Sequence, residues 1–128
     1  MPITALAAAL IALLFVALSL RVISYRGTAK VSLGDGDNVI LQRRIRAQAN
    51  CAEYAPLGLI LLGLAESLPT PQIMLWGLGG ILVLGRFMHG IGMTRAKPNV
   101  LLRLGGMNLT LMAILGLAVV LLARVLFP

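Results

Sequence analysis

The chain of 128 residues is 59% hydrophobic and 12% charged, with a mean hydropathy of +0.98. A soluble domain carries about 25% charged residues, so this composition excludes an ordinary globular domain and points to a polytopic membrane protein. Eleven Lys and Arg against four Asp and Glu leave a net charge of +7; with no aromatic residues interleaved among the basic ones, that charge suits membrane topology and anionic headgroups, not nucleic acid.

The length allows about four spans of roughly 20 residues each, so residues 1–128 are expected to form a single transmembrane domain. Ile3–Leu20 is eighteen residues without a charge and reads as the first span, closed by Arg21 and Arg26 at one surface. Pro2 suits a helix start. The segment lacks a leading basic region and a cleavage site, so it is expected to be a retained span and not a signal peptide.

Thr28–Asn38 is the first loop. Gly34-Asp35-Gly36-Asp37 is a turn signal, and Asp37 or Asn38 is placed to cap the next helix. The loop lacks the regular oxygen series and distal glutamate of a calcium site.

Val39–Leu68 reads as the second helix. Its first turns are basic and stand outside the hydrocarbon, while Ala47–Ala65 enters it carrying Gln48, Asn50 and Glu53. Arg43, Arg46, Asn50 and Glu53 are spaced by three or four, which predicts one polar stripe. Pro56, one turn after Glu53, predicts a kink and a released backbone carbonyl. Glu66 and Pro69-Thr70-Pro71 mark the opposite surface.

Gln72–Thr94 reads as the third helix. Gly77, Gly79 and Gly80 predict close helix approach in lipid, and Trp76 is an interfacial anchor. Arg86, His89 and Met93 share a face by spacing. Arg95–Asn99 is a short basic loop. The fourth helix carries Arg103 in its first turn. Leu104–Ala123 then runs twenty residues without a charge, interrupted only by Asn108 and Thr110, and Arg124 closes it.

Arg21, Arg26, Lys30, Arg43, Arg44, Arg46, Arg86, Arg95, Lys97 and Arg103 all fall on the side of loops one and three, leaving Arg124 alone on the other. The positive-inside rule then puts those loops in the cytoplasm and both termini on the non-cytoplasmic side.

A charged side chain at a span centre costs about 2.5–3.5 kcal/mol on insertion scales, so intramembrane charges face the bundle interior and pair. Glu53 and Arg86 lie at comparable depth, and a contact between them is expected. It would be an ion pair that fixes packing, or part of a pocket for a polar ligand. Cys51 is the only cysteine, so the chain has no intrachain disulfide or multi-Cys metal site, and Cys51 is expected to be a small buried residue. His89, the only histidine, has no partner set for a metal; a hydrogen bond across helices is its commoner use, and general acid-base work the rarer one.

The pattern RAQANCAEYAP over Arg46–Pro56, followed by GRFMHG over Gly85–Gly90, resembles the MAPEG family, the membrane-associated proteins in eicosanoid and glutathione metabolism. The VSLGDGD loop and the EYAP ending are similar to its small bacterial inner-membrane branch. The resemblance runs over about Arg26–Thr110. It implies an all-α integral membrane four-helix bundle in a bacterial inner membrane, assembled as a homotrimer, with glutathione bound between neighbouring subunits near the cytoplasmic face. Carried over by motif, it implies that Arg46, Asn50 and Glu53 contact glutathione, that Arg86 and His89 join them, that Arg26 contributes less securely, and that Arg103 holds the thiolate as the catalytic residue.

The chemistry of these residues suits such a ligand. Arginines bind carboxylates bidentately, a glutamate suits an ammonium, and a guanidinium in low dielectric favours a thiolate. Ala49 departs from the eicosanoid enzymes, Met93 from prostaglandin E synthase and Met107 from some other members, which argues against eicosanoid synthesis. Two functions follow: a glutathione-dependent transferase or peroxidase acting on lipophilic electrophiles, or a non-catalytic member that binds a thiol, lipid or other small anion. A proton-coupled multidrug transporter would need a carboxylate in the first span, and Ile3–Leu20 has none.

Overall fold

The computed structural model describes residues 1–95 and 97–127 and consists of four helices in chain order: α1 (Pro2–Ala29), α2 (Val39–Ser67), α3 (Gln72–Thr94) and α4 (Val100–Leu126). Residue 96 of the expected loop Arg95–Asn99, and residue 128, lie outside the described residues. α1, α3 and α4 are each long and apolar enough to cross a membrane. α2 has comparable length, 29 residues, or about 43 Å; its charged and amide residues dilute its apolar content. The outer surface is apolar, with Leu13, Ile60 and Leu115 all largely exposed, as a lipid-facing surface requires.

The first loop holds the expected Gly34–Asp37 turn but begins two residues later than Thr28. α1 continues through Arg21–Ala29, where no proline stops it, and ends with Lys30 in the left-handed conformation at φ 55°. Arg26 then holds the loop: its Nη1 donates to the Gly34 carbonyl at 2.8 Å and to the Val31 carbonyl at 3.4 Å. Asn38 caps α2, its Oδ1 accepting the Ile40 and Leu41 N–H groups, each at 3.0 Å. Asn99 caps α4 in the same way through Leu102, also at 3.0 Å.

At the other end of the bundle Glu66 caps a helix that is not its own. The first turn of α1 has unpaired N–H groups, and the Glu66 carboxylate reaches across from the end of α2 to accept them. Oε1 takes the Ile3 N–H at 3.0 Å, and Oε2 takes the Thr4 N–H at 2.8 Å and the Thr4 hydroxyl at 2.6 Å. The start of α1, the end of α4 and the 68–71 turn therefore share one end of the bundle, and the two basic loops share the other.

α2 and α3 form the central pair. α1 and α4 flank them, and α1 and α4 share no extended contact with each other. The core divides into two apolar clusters along the bundle axis, one around Leu14, Cys51 and Leu82, the other around Leu62, Leu75 and Leu117. α3 and α4 have the most extensive contact of any pair. It depends on glycines: a Cβ on Gly85 would stand 2.7 Å from the Thr110 hydroxyl, and one on Gly106 would collide with the His89 backbone. The close approach thus falls on Gly85, Gly92 and Gly106. Of the glycines expected to supply it, Gly79 packs against Leu62 and Ile3, while Gly77 and Gly80 face open space.

Candidate functional site

The polar residues gather on the central pair, in the half of the bundle nearer the basic loops. Arg86 on α3 is their hub and is only 1% exposed. Burying a guanidinium is costly unless its donors are satisfied, and here they are. Nε donates to Thr110 Oγ1 at 2.8 Å. Nη1 donates to Asn50 Oδ1 at 2.8 Å and to the Asn50 carbonyl at 3.3 Å. Nη2 reaches the Met107 sulfur at 3.6 Å, and the Tyr54 ring lies 5.6 Å from the guanidinium carbon. Thr110 passes the chain on, donating to the Gly106 carbonyl at 2.9 Å. Arg86 thereby pins α2, α3 and α4 together.

The expected Glu53–Arg86 contact does not form. Asn50 takes the guanidinium, and Glu53 pairs with Arg46 at 3.8 Å. Helix phase explains this. Successive residues turn by about 100°, so three residues separate Asn50 from Glu53 by about 60° around α2. Asn50 faces α3, while Arg46 and Glu53, two turns apart, look outward. Their side chains are 57% and 52% exposed. The expected single stripe is therefore divided: Asn50 turns toward the interior, and Arg46 and Glu53 stay on the outer face. α2 runs as one helix through Pro56, whose missing N–H leaves the Ala52 carbonyl without its intrahelical donor.

His89, 7% exposed, lies within Coulombic reach of both Arg86 and Arg103. Its position follows from the close contact of α3 with α4, since its backbone abuts Gly106. Arg103 stands exposed in the first turn of α4, with its own backbone against Gly92. Arg26 is set apart. Its guanidinium serves loop one, and among the described residues no hydrogen bond joins it to the other candidate residues. Cys51 is buried, 4% exposed, as expected of a small core residue.

Thr110, Tyr54 and Met107 belong to the Arg86 network, and the sequence pattern did not assign them to it. The one available signal is that Thr110, with Asn108, interrupts an otherwise uncharged and apolar span. The result is an internal cation with a partner at each guanidinium nitrogen; Arg46 and Glu53 present an ion pair outward from α2, and Arg103 stands exposed on α4. An apolar groove of about 270 Å³ lies between α1 and α2, lined by Phe15, Ala52, Pro56 and Leu59 among others.

Comparisons with known proteins give a family and two relatives. The model of the MAPEG family matches residues 4–123. The inner membrane protein YecN of Escherichia coli strain K12 is 36% identical over 90 residues, covering 70% of this chain and 69% of its own. The YecN protein of Escherichia coli O6:H1 matches to the same extent.

Proposed function

The chain belongs to the MAPEG family, and on that premise we propose that it is a glutathione-dependent transferase or peroxidase acting on lipophilic electrophiles in a bacterial inner membrane. The observation that carries this reading is the outward Arg46–Glu53 pair. A half-exposed carboxylate inside a span, as Glu53 is, is costly against lipid, so this face is covered by something polar. A second copy of the chain, in a homotrimer with both termini on the non-cytoplasmic side, covers it and encloses a small zwitterionic thiol.

In that cavity Glu53 binds the ammonium of glutathione and Arg46 a carboxylate. Asn50, held by Arg86, orients the backbone of the tripeptide. Arg103 faces the sulfur and favours the thiolate, with His89 beside it. Arg26 belongs to the site only through the loop it anchors. The lipophilic partner enters along the groove between α1 and α2. In conjugation the thiol proton passes to water, the sulfur bonds to the electrophilic carbon, and the leaving group departs with its electron pair.

The test is turnover by the full chain in detergent, with glutathione and a chlorodinitrobenzene electrophile. Arg103→Ala should lower the rate about a hundredfold, the scale of losing one preorganised charge-stabilising donor, with the melting temperature unchanged. A rate unaffected by Arg103→Ala removes Arg103 from this role.

A second reading has its own support. Arg86 is fully engaged within the chain, so fewer cations remain for a ligand, which suits a non-catalytic member that binds a thiol or other small anion. It predicts saturable binding by calorimetry and no turnover with any electrophile.

A further inference from the structure

A polar cavity of about 370 Å³ lies at the basic end of the bundle, where the ends of α1 and α3 meet the start of α2. Four arginines line it: Arg21 from α1, Arg43 and Arg44 from α2, and Arg95 just beyond α3. None of them belongs to the candidate glutathione set. Two are braced in place. Arg21 Nη1 donates to Thr94 Oγ1 at 2.7 Å, and that hydroxyl in turn donates to the Gly90 carbonyl at 2.8 Å. Arg44 Nη1 donates to the Arg21 carbonyl at 2.9 Å, with its guanidinium 4.3 Å over the Tyr25 ring.

Among the described residues no carboxylate lines this cavity. Among the described residues the one ion pair is Arg46–Glu53, outside the cavity. Four like charges around one space repel unless an anion sits among them. Guanidinium forks match phosphate oxygens bidentately. The level of the cavity narrows the source of the phosphate. The uncharged run of α1 ends at Leu20, immediately before Arg21. Tyr25 is of the type that sits at headgroup depth. Ile40 and Met93 add apolar wall beside the cations. Basic pockets between spanning helices at this depth suit lipid headgroups.

We propose that this cavity binds the phosphodiester headgroup of an anionic phospholipid. Arg21 and Arg44 supply a preset cationic wall, and Arg43 and Arg95 close on the phosphate. The acyl chains lie along the apolar outer surface. The site stands apart from the proposed thiol site, so either can fail without the other.

The experiment uses the full chain in a mild detergent, titrated with phosphatidylglycerol, phosphatidylcholine or inorganic phosphate. Native mass spectrometry and melting temperature are read together. Phosphatidylglycerol should stay bound and raise the melting temperature, phosphatidylcholine should do neither, and inorganic phosphate should not displace the bound lipid. The double variant Arg43→Gln/Arg95→Gln should weaken phosphatidylglycerol binding at least about tenfold, while Arg124→Gln at the opposite end leaves it unchanged. Should the double variant fail to fold, the single Arg95→Glu, at an exposed position, should show the same weakening in the same assay. Equal retention of the two lipids, or phosphatidylglycerol binding unaffected by these variants, overturns the site. Binding of inorganic phosphate that is lost in the variants and that displaces the lipid assigns the cavity to a soluble phosphate and overturns the lipid headgroup.

Discussion

Arg86 on α3 donates from Nη1 to Asn50 Oδ1 on α2 at 2.8 Å, and through this bond the two central helices are locked in rotation. The neutral amide, not the nearby carboxylate, receives the buried guanidinium. Glu53 is thereby left with Arg46 on the outer face.

A double-mutant cycle should expose this bond. Asn50→Ala and Arg86→Met should each destabilise the detergent-solubilised protein, and their coupling energy should fall within about 0.5–3 kcal/mol, the range for residues in one hydrogen-bond network. Arg86→Lys should not restore stability, because an ammonium lacks the planar fork that reaches Thr110 and Asn50 together. Strictly additive effects would remove the bond from the account.

The close contact of α3 with α4 makes a second prediction. Gly106→Ala pushes a methyl group into the His89 backbone, which cannot retreat without separating the helices. Overpacking of this kind costs about 1–3 kcal/mol. Gly80→Ala meets open space and should be neutral or stabilising, by up to about 1 kcal/mol from helix propensity. Melting curves of the two variants check the contrast, and equal curves would contradict it.

These two relationships also mark where the sequence stops being legible. Uncharged runs, Pro and Gly punctuation and basic flanks locate α3 as Gln72–Thr94 and place the other spans to within a few residues, because each helix must satisfy its own backbone in lipid. Which side of a helix meets its neighbour is set by rotation, and rotation depends on long-range packing. Gly77, Gly79 and Gly80 are closely spaced and read as the contact, yet the tightest approach uses Gly85 and Gly106. Asn50, Glu53 and Arg86 could be placed at one depth, but the choice of Asn50 over Glu53 rests on about 60° of helix phase. Arg26 has the right position for a motif residue, and only the fold shows its guanidinium turned to Val31 and Gly34.

Glu66 gives the pH dependence. Burial raises the carboxyl, but hydrogen bonds from Thr4 and Ile3 outweigh it and hold the group below the usual carboxylate range. A folded value below the unfolded one stabilises the protein above the unfolded value, and that contribution is lost as pH falls through the folded value. Glu66→Gln should therefore lower the melting temperature at neutral pH. The gap from wild type should begin to narrow below about pH 4, where a free glutamate is itself protonated, and close as pH falls through the lower folded value. A gap independent of pH would show that the ionised carboxylate is not what caps α1.

The central claim is that the outward Arg46–Glu53 face contributes to a site for a small zwitterionic thiol. Calorimetric titration of the purified full chain with glutathione tests it most directly. Saturable binding is predicted, weakened at least about tenfold by Glu53→Gln and by Arg46→Gln, and unchanged by Arg124→Gln. Absence of binding, or binding that ignores Arg46 and Glu53, would contradict it.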